Sequence, residues 1–527
     1  MSEQSDQGGR SDSNVNRRRF LTAAGAAGIA GIAGCSGGGD SGSGGSGGSG
    51  GSSGSGGSGG SGGGSTTTGS SSGSTVTIRL WSGNMTDEPV LRKHWENSIA
   101  EFNDQSNDVE VALRGVPFNS QFKKVRSALQ AGSNMPHFVQ IAGQSQMLQA
   151  GELLNLTEEG MWEQSKLSET IAESATNIAK VWGKQVTGED DTLVTWSVAV
   201  RPHFNVYNRN WLDAAGVAPS DIPGTAENLE NGTPVWRNGG SGTFSMFEDL
   251  YKPMNGTDLA APDDAAPDTT AMKEADEEYI SYYMGQWGVT GMGPVNNAAT
   301  HSILDTEAAR NAIRFQKEGV EQGYFHPNSI NHGDEEATTL VWSNKIGMMH
   351  IQDVSDLWKS FRKQLGDQTY LDNYTWGVPP KAAGSNGEKS TFILMPSFLP
   401  FAKAYENQAQ KDASVEFIDW FAASREQQLA NLKGIGYVPT NPDVLKADWF
   451  TQDELHTKFW GVAKRVMEEW EFTVLPAIEG APSINYPVPR KMHQRIMQQG
   501  MSVEKATKLA SEEINQILKD NGRYEPR

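Results

Sequence analysis

Apolar and polar residues alternate from Val76 to Leu80, and this period of two predicts a β-strand. The strand runs into a polar turn at residues 82–84. A different pattern begins at Pro89, where apolar residues recur every three or four positions as far as Phe102. That spacing places the apolar residues on one face of a helix, so we predict a strand followed by an amphipathic helix.

The same order of elements continues along the chain. Strand patterns occupy residues 109–113 and 138–141, and a helical pattern at residues 122–129 separates them. Strand, helix, strand, helix, strand predicts a parallel α/β sheet with right-handed crossovers. Ligands of such sheets bind beyond the carboxyl ends of the strands. Asn84 follows the first strand and Gln144 follows the third, so we expect both residues near a ligand.

The N-terminal region shows neither of these patterns. Arg17 and Arg18 precede a short apolar stretch that ends in small residues and Cys35. The stretch is shorter than the roughly 20 residues that a bilayer-spanning helix needs, and its order is typical of an export signal. Residues 1–34 resemble a twin-arginine lipoprotein signal peptide, which makes Cys35 the lipid-bearing residue. The alternative is an unmodified cysteine after an ordinary signal peptide.

Gly and Ser account for nearly all residues between Cys35 and Thr75. Such a segment buries too little apolar surface to offset its conformational entropy. We therefore interpret residues 35–74 as a lipidated cysteine followed by a disordered linker. The body that begins at Thr75 is long enough to form two lobes.

Charge and cysteine content narrow the classes of partner. The formal net charge is −20, with 64 acidic against 44 basic residues, which disfavours nucleic acid and anionic membrane surfaces. Cys35 is the single cysteine, so the body has neither a disulfide nor a cysteine-based zinc site. The acidic clusters lack the spacing of a calcium loop, and we predict no metal and no cofactor. The acidic composition together with the export signal resembles the secreted proteins of salt-loving archaea.

Several short segments resemble the family 1 extracellular solute-binding proteins, which capture solutes for ABC importers. In chain order these segments are residues 132–136, 151–157, 206–217, 343–349, 413–421, 436–440 and 500–506. The segment Val-Tyr-Asn-Arg-Asn-Trp-Leu at 206–212 is similar to the Tyr-Asn-Lys segment that begins the second lobe in that family. The segment Gly-Tyr-Val-Pro-Thr at 436–440 is similar to the family's Gly-x-x-Pro turn.

The resemblance implies an α/β fold of the type II periplasmic-binding-protein class. Two lobes, each a mainly parallel sheet flanked by helices, would enclose a ligand cleft. Residues 75–200 and 378–430 would form the N-terminal lobe, and residues 201–377 and 431–527 the C-terminal lobe. Prolines lie near both crossings and suit stiff hinge strands, because proline fixes φ. Closure about these crossings would trap the ligand.

The resemblance also implies a function without catalysis. The protein would capture a carbohydrate on the extracellular face of the membrane, where the lipid on Cys35 holds it. It would then deliver the carbohydrate to the permease subunits of an ABC transporter, and it would act as a monomer.

A carbohydrate presents an apolar face and a rim of hydroxyl groups, so its site needs aromatic rings and placed polar groups. The tryptophans near predicted strand ends or Gly-rich loops are candidates for stacking: Trp81, Trp196, Trp287 and Trp376. Positions that match ligand-facing loops of the family give polar candidates: Asn84, Gln144, Gln352, Asp353 and Tyr437. Ser82 is a further polar candidate, because it lies at the end of the first predicted strand. Packing in the core is the alternative for each tryptophan.

Arg201 lies at the first predicted crossing, and its orientation decides between two ligand classes. An arginine that faces the cleft would clamp a carboxylate or phosphate, and the ligand would then be an acidic sugar. An arginine that faces outward is a solvated hinge residue.

Other functions stay open on the sequence alone. One is an exported carbohydrate-active hydrolase that uses two carboxylates. Another is a peptide-binding or ferric-iron-binding protein of the same fold. Tyr282 and Tyr283 are the candidate iron ligands, and packing on a helix face is the alternative for them.

Overall fold

The computed structural model of the chain describes residues 75–86, 89–141, 148, 152–237, 242–260, 270–271, 283–289, 291–325, 339–384 and 387–526. These residues belong to one compact unit that extends from Ser72 to Arg527. Within the described ranges, no helix is both long and apolar enough to span a bilayer. The predicted signal peptide, Cys35 and the Gly/Ser linker lie outside the described residues.

The strands form two sheets. In chain order they are β1 (Val76–Ser82), β2 (Val109–Gly115), β3 (Phe138–Ile141), β4 (Trp196–Ser197), β5 (Ala199–Asn208), β6 (Thr270–Ala271), β7 (Met348–Asp353), β8 (Tyr374–Gly377), β9 (Ser390–Leu394), β10 (Ser397–Pro400), β11 (Val438–Pro439) and β12 (Glu471–Thr473).

The α-helices surround these sheets. In chain order they are α1 (Pro89–Gln105), α2 (Phe118–Ala131), α3 (Met161–Gln164), α4 (Leu167–Thr170), α5 (Glu173–Thr187), α6 (Arg209–Ala215), α7 (Lys252–Asn255), α8 (Glu307–Glu321), α9 (Val354–Asp356), α10 (Arg362–Leu365), α11 (Asp367–Asn373), α12 (Gln408–Ile418), α13 (Arg425–Ile435), α14 (Glu454–Glu469), α15 (Ala481–Asn485), α16 (Pro487–Met497) and α17 (Val503–Asp520). Single turns of π-helix extend or join several of them, at Met246–Tyr251, Leu357–Phe361 and Asp419–Ala423.

The first sheet has the strand order β2-β1-β3-β10-β4. Its β1 pairs in parallel with β2 and with β3, and α1 and α2 make the connections between them. This arrangement confirms the predicted strand, helix, strand, helix, strand unit. β10 and β4 extend the sheet with antiparallel pairings, so the sheet as a whole is mixed.

The apolar face predicted for α1 packs against the first sheet. Leu91, Trp95, Ile99 and Phe102 are all buried. The Trp95 ring packs edge-on against Phe398 of β10, with 6.1 Å between ring centroids, and stacks on Phe421 of the neighbouring π-turn at 5.1 Å. Each such side chain contributes about 1.5–3 kcal/mol when it is fully withdrawn from water, so this packing fixes α1 on the sheet.

The second sheet has the order β12-β9-β5-β7-β6, and β8 and β11 also pair with β5. All four partners of the long strand β5 run antiparallel to it. This sheet differs from the mainly parallel sheet that we predicted for each lobe. The direction of the chain supplies the reason, because β5 leads away from the first sheet whereas β9 leads back to it.

Two of the segments that connect the first sheet with the second lie side by side. β4 and β5 are separated by Val198, and β9 and β10 by Met395 and Pro396. The Val198 N–H donates to the Pro396 carbonyl over 3.0 Å, so these two passages lie side by side. After β10 the chain packs α12 and the π-turn that follows it against the first sheet, and β11 then joins β5 opposite Ala199 and Val200. When each strand is assigned to its sheet, the second crossing between the sheets lies at residues 395–396. This is later in the chain than the predicted crossing at residue 378.

Candidate functional site

Buried polar side chains meet where β1 and β3 end. Ser82 is paired with Gln140 in the parallel register of these strands, so their side chains share one face of the sheet. The Ser82 Oγ donates to Gln140 Oε1 over 2.8 Å, and Gln140 Nε2 donates to the Tyr437 hydroxyl over 2.9 Å. Because both strand ends and the β11 turn contribute, this hydrogen-bonded chain links three distant parts of the sequence.

The Tyr437 phenol is held in its neutral form. Burial raises its pKa, and the carboxylate of Asp353 raises it further, although the cation of Arg201 opposes these effects. A neutral phenol both donates and accepts hydrogen bonds. Tyr437 is therefore suited to binding a hydroxyl-bearing ligand and unsuited to acting as a base at neutral pH.

Arg201 on β5 faces two carboxylates. Its Nε lies 2.8 Å from Asp353 Oδ2, and its Nη2 lies 3.8 Å from Asp356 Oδ1. Burial acts to lower the pKa of Arg201, but the two carboxylates and Tyr437 outweigh burial and raise it. Arg201 therefore stays a cation, and its charge is more than matched by its neighbours.

The backbone turn at the start of α9 sets the position of the Asp353 carboxylate. Its carboxylate caps α9 by accepting a hydrogen bond from the Ser355 N–H over 2.6 Å. The Ser355 hydroxyl in turn donates to the Gly436 carbonyl over 2.9 Å. Gly436 has φ +70°, and a Cβ there would lie 2.8 Å from the Ser355 Cα, so only glycine fits this close approach. This contact ties the β7 end to the segment that carries Tyr437.

Trp81, a predicted stacking residue, lies on the opposite face of the first sheet from Ser82 and Gln140, because successive side chains of a strand alternate. It precedes Ser82 on β1 and is 6% exposed. The Arg114 guanidinium lies over its ring, 4.9 Å from the centroid, because the two residues are paired between β1 and β2. The structure thus brings together Ser82, Arg201, Asp353 and Tyr437 from the predicted set.

The other predicted tryptophans lie elsewhere. Trp196 and Trp376 are completely buried in the hydrophobic core, where Trp196 packs on Trp162 and the Trp376 indole donates to the Tyr370 hydroxyl over 2.9 Å. Neither ring presents a face to solvent in this conformation. Trp287 is half-buried and packs against a different part of the core.

Several predicted residues lie outside what the structure describes. Gln144, Cys35, Arg17, Arg18 and Tyr282 are not among the described residues. Asn84 and Gln352 belong to described backbone, and their side chains are not described. The role of each in ligand binding, lipidation or export stays a prediction.

Tyr283, the second candidate iron ligand, is fully buried in an aromatic cluster. Its ring centroid lies 5.6 Å from that of Trp236 and 5.7 Å from that of Phe315. In addition, no group of three or more His, Cys, Asp or Glu side chains among the described residues is arranged to hold a metal ion. These surroundings match the packing alternative for Tyr283.

Sequence reasoning missed Gln140 and Asp356. Gln140 is the one polar residue of the four that form β3, and it is 1% exposed. A polar residue inside such a short apolar strand must find a buried partner, and this was the signal available. Asp356 carried no comparable signal, because its contact with Arg201 depends on how β5 and α9 meet in space.

Comparison with known families supplies an independent finding. The sequence model of the family described as bacterial extracellular solute-binding protein matches residues 97–458. A curated relative from Brucella abortus, named as a binding protein, is 23% identical over 177 residues, which is 34% of this chain. The chain spans 39% of that relative's length.

Solved structures share the fold over most of the chain. A cyclic α-maltosyl-1,6-maltose binding protein from Arthrobacter globiformis has a TM-score of 0.62 and 14% identity, and covers 85% of this chain and 100% of its own. The sugar-binding protein MalE of Xanthomonas citri has a TM-score of 0.62 and 16% identity, with 84% and 98% covered. A solute-binding protein from Thermotoga lettingae, bound with α-D-tagatose, has a TM-score of 0.59 and 17% identity, with 84% and 100% covered. At these identities the likeness shows the two-lobe, type II fold alone.

Proposed function

Because the chain belongs to the family of bacterial extracellular solute-binding proteins, we propose that it captures a neutral carbohydrate and delivers it to the permease subunits of an ABC transporter. In this proposal the two lobes close on the carbohydrate, and the protein catalyses nothing. The structural neighbours support the choice of ligand class, since their names give maltose-type sugars, tagatose or sugars in general.

One observation carries the proposal. Polar groups from the first sheet, at Ser82 and Gln140, meet polar groups from the second sheet, at Arg201 and Asp353, with Tyr437 between them. The meeting point lies at the carboxyl ends of β1 and β3, where ligands of open α/β sheets bind. Hydroxyl groups of a sugar suit such a mixed set of donors and acceptors, and Trp81 at the end of β1 remains the proposed stacking residue.

The charge balance favours a neutral ligand over an acidic one. Arg201 is the basic residue of this network, and Asp353 at 2.8 Å and Asp356 at 3.8 Å already surround it. One cation against two carboxylates leaves an excess of negative charge. A uronate or sugar phosphate would meet that excess instead of a guanidinium clamp, so its carboxylate or phosphate is disfavoured.

Export and anchoring complete the proposal and rest on the sequence. Residues 1–34 would direct export, and lipid on Cys35 would hold the protein at the extracellular face of the membrane. Mass spectrometry of the protein from its native membrane tests this step. A mature N-terminus at Cys35 with attached lipid is the expected result, and an N-terminus elsewhere overturns it.

Calorimetric titration of the full chain with a panel of solutes tests the binding function. The panel holds neutral mono- and oligosaccharides, uronates, sugar phosphates, ferric ion and short peptides. We expect a neutral carbohydrate to bind and to stay chemically unchanged. At about 100 times its Kd it should raise the free energy of unfolding by roughly 2.7 kcal/mol.

Substitutions at two tryptophans locate the site. Trp81→Leu should weaken carbohydrate binding about tenfold, because it removes an aromatic surface from the sugar. Trp420→Leu is the matched control, since Trp420 is half-buried and its indole donates to Gln105 instead of lining the network. Tight binding of uronates alone would overturn the neutral-ligand proposal, and turnover of a glycan would overturn the binding function.

A further inference from the structure

The segment between Glu110 and Glu152 differs in charge from the rest of this acidic chain. It contains no Asp or Glu, although the chain has 64 acidic residues among 527. The lysines and arginines of the segment are Arg114, Lys123, Lys124 and Arg126, and the structure leaves all four exposed. We refer to these four residues as the basic face.

The packing of α2 on the first sheet turns its two lysines outward. Val125 and Leu129 belong to the core cluster that also contains Trp81. Lys123 and Lys124 lie away from this buried side of the helix, and both are exposed. Their ammonium groups therefore extend into solvent from the outer side of α2.

Aromatic rings support the two arginines of the basic face. The Arg126 guanidinium lies 5.6 Å from the ring centroid of Phe122, one helical turn earlier on α2. The Arg114 guanidinium lies over Trp81, which is on the side of the first sheet that α2 covers, so Arg114 stands beside α2. A guanidinium on the face of a ring keeps its N–H groups available for a phosphate oxygen.

The basic face has no carboxylate partner in the part of the chain that the structure describes. None of its four cations forms an ion pair there, whereas Lys180 pairs with Asp191 at 2.9 Å and Lys491 pairs with Glu513 at 3.1 Å. The basic face thus carries a local excess of positive charge, which favours an anionic partner.

The net charge of −20 disfavours an anionic surface as the partner of the molecule as a whole. Salt at physiological ionic strength, however, screens exposed charges that lie more than about 8 Å apart. An anionic surface that contacts α2 therefore interacts mainly with the basic face, and the acidic residues elsewhere in the chain oppose the contact only weakly.

The membrane is the anionic surface within reach under the proposed anchoring. α2 connects β2 with β3, and the chain enters this same sheet at β1 after the predicted linker. A Gly/Ser coil of that length has a root-mean-square span of roughly 35 Å. Lipid on Cys35 would therefore hold the basic face close to lipid headgroups, whose phosphates attract Lys and Arg side chains.

We propose that the basic face adsorbs to anionic phospholipid headgroups, so that the tethered body rests with α2 against the membrane. The proposal adds a partner to the carbohydrate-binding function, and its setting rests on the proposed export and anchoring.

Co-sedimentation of the full chain with vesicles tests the proposal. One set of vesicles holds equal parts of phosphatidylglycerol and phosphatidylcholine, and the other holds phosphatidylcholine alone. At about 0.1 M salt we expect adsorption to the anionic vesicles to be at least about tenfold stronger. At about 1 M salt the Debye length falls to about 3 Å, and this preference should disappear. The assay needs neither carbohydrate nor lipid on Cys35, so a failure of the binding function leaves its outcome unaffected.

Two double variants locate the adsorption on the molecule. Lys123→Glu with Lys124→Glu should weaken adsorption to anionic vesicles at least about tenfold, because each lysine near such a surface strengthens adsorption about fivefold. Lys505→Glu with Lys508→Glu on α17 is the matched control, since both lysines are exposed and the change in charge is the same. Residues 1–34 are identical in the two variants, so any adsorption by that segment cancels in the comparison.

Energy transfer to a lipid with a labelled headgroup measures the orientation of the adsorbed chain. Cys35→Ser combined with Ser127→Cys allows a single fluorophore on the exposed side of α2. Cys35→Ser combined with Gln516→Cys allows a single fluorophore on α17, where Gln516 is exposed. With anionic vesicles we expect more energy transfer from position 127 than from position 516.

Each outcome supports or overturns the proposal. Equal adsorption to the two kinds of vesicle, or an equal loss of adsorption in the two double variants, overturns it. An acidic protein surface as the true partner would appear as absence of vesicle binding, which overturns it as well. If neither double variant loses adsorption because residues 1–34 dominate it, the energy transfer decides, and equal transfer from positions 127 and 516 overturns the proposal.

Discussion

Arg201 and Asp353 form the most buried ion pair of the candidate site, with their side chains 14% and 3% exposed. Burial of two charges carries a desolvation penalty, and the mutual attraction of the pair offsets it only while both partners are present. Loss of one partner therefore leaves the other charge buried and unpaired, and this costs more free energy than the intact pair contributes.

Removal of the guanidinium alone should be strongly destabilising. We expect Arg201→Met to lower the free energy of unfolding by about 3–5 kcal/mol, because the Asp353 carboxylate stays buried without its partner. Urea denaturation of both proteins measures this difference. Lys180→Met is the control, since Lys180 and Asp191 form an exposed pair whose loss should cost at most about 1 kcal/mol. Equal losses in the two variants would contradict the interpretation of Arg201 as a buried, paired charge.

At the scale of elements, two helices end in the same way but in different surroundings. α2 ends at Gly132 and α13 at Gly436, both with left-handed backbone and with an N–H that donates to the carbonyl four residues earlier. A Cβ at Gly132 would meet nothing within 4 Å, whereas a Cβ at Gly436 would meet the Ser355 backbone at 2.8 Å. Comparison of the two glycines therefore separates the free-energy cost of a left-handed backbone from the cost of crowding against a neighbouring segment.

Alanine substitutions at the two positions should differ accordingly. Gly132→Ala should cost about 1–2 kcal/mol of unfolding free energy, the strain of a left-handed residue with a Cβ. Gly436→Ala should cost at least about 1 kcal/mol more, because the backbone at Ser355 has to move. Denaturant midpoints of the two variants check this. Similar costs at both positions would show that α13 can shift away from α9 freely.

The scale of elements also shows how far the sequence could predict the fold. The period-two and helical patterns between Val76 and Ile141 gave the β1 to β3 unit correctly, because each of these elements buries one face on its neighbour in the chain. The antiparallel pairing of β5 with its neighbours in the second sheet could not be predicted in this way. The antiparallel pairing arises because β5 leads away from the first sheet and β9 leads back to it, and no local sequence pattern encodes these directions.

The same limit applies to the site. Tyr437 and Ser82 could be proposed from their positions in turns and at strand ends, but their shared partner Gln140 required the pairing of β1 with β3. The contact between Arg201 and Asp353 joins residues that are far apart in the chain, so the sequence left the orientation of Arg201 open.

Across the whole molecule, buried neutral histidines link stability to pH. Burial lowers the pKa of His137 to about 4, with a further contribution from Arg79, and burial lowers that of His350 to about 3 and that of His493 to about 4. In the unfolded chain a histidine has its ordinary pKa of about 6.5. Between about pH 6.5 and pH 4 the unfolded state therefore binds more protons than the folded state does.

The protein should thus lose stability as the pH falls through this range. Each of the three histidines contributes up to about 1.4 kcal/mol per pH unit. Urea unfolding at steps between pH 7 and pH 5 measures the slope, above the range where most carboxylates titrate. His493→Gln should reduce the slope by the share of one histidine. A free energy of unfolding that stays constant over this range would show that these histidines are solvated.

The passages between the sheets carry a consequence for movement at a membrane. Within the described residues the chain passes between the sheets three times, at Val198, at 395–396 and before β11. An odd number of passages leaves the first strand in one half of the molecule and the closing helix α17 in the other. With the protein tethered through its N-terminus, as proposed, the attachment enters the half that holds β1, and the half that holds α17 lies farther along the chain from the anchor. Because the proposed Gly/Ser linker is flexible, both halves stay free to move when they close on a solute, and the anchor does not oppose closure.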